Sequence, residues 1–168
     1  MNAGAHGREM ADVVERIDVF SLLGGEARGV AAADAGFGYR HTALPEDGVI
    51  TGATLRLVSG HASEIRAGMD GAREWRRTTQ PVAEPNCGSV FENPPGQHAA
   101  ALIEAAGLKG TRVGDATVST KHANFIIAGP RATAEDVLGL IRTMRERVLQ
   151  DAGVSLRTEV HVLGGSAR

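Results

Sequence analysis

The chain has 168 residues, 42% hydrophobic and 23% charged, enough apolar material to build a core in one large domain or two small ones. Its 18 basic and 20 acidic residues give a formal charge of -2 and are mixed along the chain, so no basic stripe points to nucleic acid. A single cysteine, Cys87, excludes an intramolecular disulfide and agrees with a reducing compartment, and no stretch approaches the ~20 apolar residues that span a bilayer.

Arg8, Glu9, Asp12, Glu15 and Arg16 interrupt the start of the chain where a secretory signal needs an apolar run, so a cytoplasmic location with no membrane contact is expected. Residues 1–60 read as β-rich, because Gly24-Gly25, Gly36, Gly38, Pro45, Gly48 and Gly52 punctuate short apolar runs. Val13, Ile17 and Val19 are expected on one face of a first strand, with Glu15 between them. Ala53, Leu55 and Leu57 are expected on one face of a later strand, alternating with Thr54 and Arg56, so that both strands are half buried.

From Ser63 the period changes to that of a helix with Ile65, Met69, Ala72 and Trp75 on one face, which places a domain boundary near Gly60. A Pro-rich loop, 81–88, leads to a short strand at Ser89–Asn93, which Pro94 and Pro95 must end because neither can donate to a ladder. Ala99, Leu102, Ile103 and Ala106 mark a second helix closed by Gly107, and Asn124–Ala128 reads as a compact strand. Thr133 begins a long helix with Val137, Leu140, Ile141, Met144 and Val148 on one side, and Gly153 follows it. Leu156, Thr158, Val160 and Val162 then alternate with Arg157, Glu159, His161 and Leu163 as a last strand, before a tail at 166–168 that is expected to fray. The order predicts an α+β fold in which helices cover a sheet.

The residues themselves point only weakly to chemistry. The six histidines form no metal-ligand spacing and Cys87 has no partner, so no metal site is expected. Ser89, Phe91 and Asn93 would share a strand face, putting a hydroxyl and an amide on one side, yet no adjacent base is identified. Arg40, after Tyr39, could offer its fork of donors to a carboxylate or phosphate. Glu159 stands among Arg157 and His161 on what would ordinarily be a solvated face. On these grounds alone the reading stops at a soluble α+β domain.

Six segments, in order, resemble the UDP-N-acetylenolpyruvoylglucosamine reductase family, or murein reductases. They are Met-Asn-Ala-Gly-Ala-His-Gly at 1–7, Gly-Phe-Gly-Tyr-Arg at 36–40 and Gly-Ser-Val-Phe-Glu-Asn-Pro at 88–94, followed by Leu-Ile-Glu-Ala-Ala-Gly-Leu-Lys-Gly at 102–110, Val-Ser-Thr-Lys-His-Ala-Asn-Phe at 118–125 and Leu-Arg-Thr-Glu-Val at 156–160. The resemblance implies the carboxy-terminal two thirds of such an enzyme, of the shorter type that lacks an extra tyrosine-bearing loop. Residues 1–60 would be the second half of a FAD-binding domain and 61–165 a substrate-binding domain.

It also implies an activity: reduction, with NADPH and FAD, of UDP-N-acetylglucosamine enolpyruvate to UDP-N-acetylmuramate in peptidoglycan synthesis. In that reading Ser89 is the general acid, while Arg40 and Glu159 flank the enolpyruvyl carboxylate. Tyr39, Asn93, His122 and Asn124 fall near the UDP-sugar, and Asn2, Ala3, Gly4, Ala5 and Gly7 form a loop that touches FAD. Two departures stand out. Glu92 replaces a common Lys or Arg beside the site, which adds repulsion toward an anionic UDP-sugar. The Gly-rich segment that holds the FAD pyrophosphate would lie upstream of Met1, so the chain reads as a fragment whose unpaired sheet edges favour self-association. The alternative is a non-catalytic UDP-sugar-binding or interaction module that retains the fold.

Overall fold

The structure, a computed structural model, describes residues 1–164. The tail expected at 166–168 lies outside them. The chain divides into two compact units, Met1–Met69 and Asp70–Arg168, and the division falls inside a helix, at Met69, where the sequence suggested Gly60.

The first unit begins with a small hairpin of β1 (Gly4–Ala5) and β2 (Arg8–Glu9). Its two loop residues, His6 and Gly7, have φ of 53° and 73°, the left-handed pair that a tight hairpin turn requires. An antiparallel sheet follows, with β3 (Val14–Ser21) between the outer strands β4 (Ala27–Ala31) and β5 (Gly48–Leu55). Its core is Val14, Ile17, Val19 and Ala35, with Val30, Phe37 and Leu44 packed against them. Val14 thus replaces the expected Val13. Val14 pairs with Leu55 and Arg16 with Thr54, so Glu15 is an extra residue that bulges out and breaks the alternation. The half-burial expected of Ala53, Leu55 and Leu57 is not found: all three are exposed, because β5 is an edge strand and Leu57 lies beyond its end.

Helix α1 (Ala62–Thr79) runs across the division. The expected helical period is present, but Ile65, Met69 and Trp75 remain 50% exposed and no residue of the helix is buried. Ion pairs one turn apart, Asp70 with Arg73 and Glu74 with Arg77, decorate its polar side.

The second unit continues with α2 (Ala99–Ala105), an antiparallel sheet of β6 (Arg112–Val113), β7 (Ala116–Val118) and β8 (Ile126–Ala128), and α3 (Ala134–Ala152). Thr133 caps α3, accepting from the Asp136 amide at 3.2 Å, while the Asp136 carboxylate accepts from the Thr133 amide at 2.9 Å. Gly153, with φ of 68°, ends it in the left-handed conformation. Leu140, Ile141, Met144 and Val148 of α3 pack over the sheet and against α2, where Ala99 and Ile103 are buried. Val90, Phe91 and Leu156 complete this core.

The last strand expected at Leu156–Val162 is reduced to one antiparallel bridge, Thr158 with Phe91. Its partner segment is too short to support more, because Pro94 and Pro95 follow at once. The units together are an α+β arrangement of mixed helix and strand. No helix among the described residues is long and apolar enough to cross a membrane.

Met144 is fully buried at the centre of this core. Truncation by Met144→Ala is expected to cost the second unit about 3 kcal/mol through lost contacts and the cavity left behind, to be read from the urea midpoint.

Candidate functional site

The segment Val90–Glu92 in the second unit is gripped from both sides. On one side Asn124 acts as a strand in miniature: its Oδ1 accepts from the Phe91 amide at 3.0 Å, its Nδ2 donates to the Phe91 carbonyl at 2.8 Å, and its own carbonyl accepts from the Val90 amide at 2.9 Å. On the other side the Glu92 amide donates to the Arg157 carbonyl and the Glu159 amide to the Val90 carbonyl, both at 2.9 Å. Residues distant in sequence are thereby brought into register, with Ser89 and Glu159 both within one position of the Val90–Glu159 backbone bond. Both are half-buried.

Phe91 is 1% exposed, and it alone takes the strand bridge. Asn93 is exposed, and its Oδ1 accepts from the Ala99 amide at 3.0 Å, which caps the start of α2. Asn124 is 4% exposed and its amide is turned to Phe91. The negative charge of Glu92 is paired locally: Arg157 donates through Nε to Glu92 Oε2 at 2.7 Å and forms an ion pair with it. That pairing removes most of the repulsion expected toward an anionic ligand. Arg157 gained no role from the sequence because its partner lies across the bridge rather than nearby in the chain.

The loop before β8 carries His122. Its half-buried ring meets Phe125 edge-to-face with centroids 4.8 Å apart, and its Nδ1 accepts from the Asn124 amide at 3.3 Å, leaving the neutral ring's proton on Nε2. Desolvation, and secondarily the Lys109 charge, lowers its pKa from the usual 6.5. Ser119, 3% exposed, organises the same loop by accepting from the amides of Lys121 and His122 at 3.1 and 3.3 Å. Sequence reasoning passed over Ser119, although a Ser bonding two and three residues ahead is a local motif that Ser-Thr-Lys-His can signal.

Arg40 and Tyr39 belong to the first unit. Gly38 and His41 exchange two backbone hydrogen bonds of 3.1 Å, so Tyr39-Arg40 is the two-residue loop of a tight hairpin. Arg40 takes φ of 52°, which costs a non-glycine residue about 1 kcal/mol or more. Its guanidinium carbon lies 5.0 Å from the centroid of the Tyr39 ring.

Within Asn2–Gly7, Gly4 and Ala5 are strand β1, and His6-Gly7 is the turn of the first hairpin. Asn2 is 1% exposed, with its amide bonded inside the protein, whereas Ala3, Ala5 and Gly7 are exposed. The chain contains neither a phosphate-cradling loop nor a dinucleotide fingerprint.

Among the described residues no group of three or more His, Cys, Asp or Glu could hold a metal ion. Cys87 is exposed, and desolvation raises its thiol pKa, which keeps it protonated and weakly nucleophilic. An open cavity of about 420 Å³ by Asp12, Val14, Glu15, Ala32 and Arg56 contains none of the candidate residues.

Comparison with known proteins shows what the chain is similar to. Residues 80–163 match the family model for the UDP-N-acetylenolpyruvoylglucosamine reductase C-terminal domain. The chain is 45% identical over 164 residues to the UDP-N-acetylenolpyruvoylglucosamine reductase of Myxococcus xanthus, covering 98% of this chain and 52% of that protein. For the enzyme of that name from an Anaeromyxobacter species the identity is 48%, with 98% and 51% covered. The crystal structure of the Thermus caldophilus UDP-N-acetylenolpyruvylglucosamine reductase superposes with a TM-score of 0.80 at 38% identity, over 96% of this chain and 57% of that one. The chain therefore spans about half the length of the curated relatives it matches, less than the two thirds that the sequence resemblance suggested.

Two outcomes test the site's construction. Asn124→Ala would strand the buried amide and carbonyl of Phe91 and is expected to cost about 3 kcal/mol in urea unfolding. Because the pKa of His122 is lowered in the folded chain, the unfolded chain takes up this proton first as pH falls. Its contribution to stability is thus complete above the ordinary value of 6.5 and is lost as pH drops through that value toward the folded one. Denaturation midpoints measured across this range should fall less steeply in His122→Gln.

Proposed function

The chain belongs to the UDP-N-acetylenolpyruvoylglucosamine reductase family, and we propose on that basis that it supplies the substrate-binding domain and part of the flavin domain of an enzyme that reduces UDP-N-acetylglucosamine enolpyruvate to UDP-N-acetylmuramate. The observation that supports the reading is the register of the Val90–Glu92 segment against Arg157–Glu159, which sets the Glu159 backbone opposite Val90, the residue next to Ser89. Val90 and Glu159 are distant in the linear chain. A cytoplasmic location, where NADPH and nucleotide sugars are made, suits this chemistry.

FAD, reduced by NADPH, would supply hydride to the enolpyruvyl double bond. Ser89 delivers the proton to the substrate carbon where negative charge builds, a role that needs only a hydroxyl in hydrogen-bond reach. The Arg40 guanidinium pairs with the substrate carboxylate and draws charge onto its oxygens. Glu159, with Arg40, flanks the enolpyruvyl carboxylate. His122 offers Nε2–H, and Tyr39 and Asn93 offer a hydroxyl and an amide, to the UDP-sugar. Ala3, Gly4, Ala5 and Gly7 would lie against the flavin through their backbone. The outer strands β4 and β5 carry unpaired edges, which favour self-association.

The test begins with visible absorbance of the purified chain after incubation with FAD and removal of free flavin. Retained flavin, followed by NADPH oxidation that depends on the enolpyruvyl UDP-sugar, is expected of the enzyme. A chain that binds the UDP-sugar but holds no flavin would instead be a binding module. In the flavin-loaded protein, Ser89→Ala should lower turnover by about 10²-fold or more while NADPH still reduces the flavin at the original rate. Undiminished turnover would remove Ser89 from its role.

A further inference from the structure

Asn2 stands at the second position of the chain and yet is 1% exposed. A carboxamide has two N–H donors, and both are in use: Nδ2 donates to Glu9 Oε2 at 2.6 Å and to the Gly38 carbonyl at 3.2 Å. Its Oδ1 accepts from the Ala11 amide at 3.0 Å. Both side-chain donors are thus held within the protein. The three partners lie on β2, on the turn after it, and on the hairpin that displays Tyr39 and Arg40, so one side chain ties three backbone segments together.

The bond to Gly38 matters most. Gly38 pairs with His41 to close the loop, and Arg40 inside that loop holds a left-handed conformation that a non-glycine residue keeps only when its surroundings pin it. The seat of the guanidinium is also built by this region. A Cβ added to Gly4 would lie 3.4 Å from Arg40 Nη1 and 3.1 Å from Glu9 Cγ, so the bare backbone of Gly4 makes room for both. Gly4 is paired with Glu9 in the first hairpin, and Glu9 is the acceptor of the Asn2 amide. The same few residues thus fix where the loop begins and where its cation rests.

We propose that Asn2 is a positioning residue: its buried amide braces the Gly38–His41 hairpin against the first hairpin and so aims the Arg40 guanidinium. The consequence for catalysis rests on Arg40 being the carboxylate partner of the substrate, as in the function proposed above. The brace itself does not depend on that reading.

The test uses the full chain and two variants. Amide hydrogen exchange is followed at Gly38 and His41, and at Ile17 and Val19 of β3 as an internal standard. Asn2→Ala is expected to speed exchange at Gly38 and His41 by about tenfold, the worth of one hydrogen bond, with a smaller change in β3. A general loss of stability would move both sets together, so the second variant separates the two effects. Asn2→Asp combined with Glu9→Gln restores the 2–9 link with reversed polarity and keeps the acceptor for Ala11, but cannot donate to Gly38. Protection of β3 should return in it while Gly38 and His41 still exchange fast.

Wild-type protection at the hairpin in the double variant, or equal acceleration of both sets, would overturn the brace. A ligand arm addresses the catalytic consequence. The double variant should bind UDP-N-acetylglucosamine enolpyruvate about tenfold more weakly and UDP-N-acetylglucosamine, which lacks the carboxylate, unchanged. If the wild-type chain binds neither sugar, the functional reading fails while the exchange result stands by itself.

Discussion

Two hydrogen bonds between one side chain and one backbone residue hold the second unit's candidate site in shape. Phe91 has its aromatic ring in the core, and its amide and carbonyl both meet the carboxamide of Asn124. A buried peptide group without partners costs enough that the chain must either pair it or not bury it. Asn124 meets that demand where no third strand is available. With this edge satisfied, the opposite edge of Val90–Glu92 can receive Arg157–Glu159, and the register of Ser89 and Glu159 follows from it. The hydrophobic core anchors the segment, but the amide decides its orientation.

The first unit uses the same device. Asn2 is buried like Asn124: the Asn124 carboxamide bonds the Phe91 backbone on both sides, and that of Asn2 bonds the backbone of Gly38 and Ala11 together with the Glu9 carboxylate. In each case the braced backbone lies two residues from a proposed catalytic side chain, Gly38 before Arg40 and Phe91 after Ser89. A carboxamide suits the task because it presents a donor and an acceptor in a fixed plane, as a peptide does. Side chains on the rims of such braces can then point outward, where a ligand is able to reach them.

Charge and apolar surface are distributed differently. Glu92 is compensated by Arg157 across the bridge, so the local charge balance is kept by a pair of positions rather than by one. Apolar side chains on β5 and α1 stay open: Ile50, Leu55, Ile65, Met69 and Trp75 are 44% to 55% exposed. Apolar side chains exposed to water favour contacts that cover them.

Helix α3 was legible from residue order alone, because Thr133, Gly153 and the recurrence of Leu140, Ile141, Met144 and Val148 act within one element. The strand end imposed by Pro94-Pro95 is equally local, and the family segments, read in order, pointed to a kinship that the comparisons bear out. Three features depended on the tertiary structure. The bulge at Glu15 moved Val14 into the core in place of Val13, because strand register is set by the partner strand. The last strand shrank to a bridge at Thr158 because its partner was short. The burial of Asn2 and Asn124 and the bonds of their carboxamides came only with the fold, since a side-chain amide has no preference between ligand and backbone until the fold brings one of them within reach.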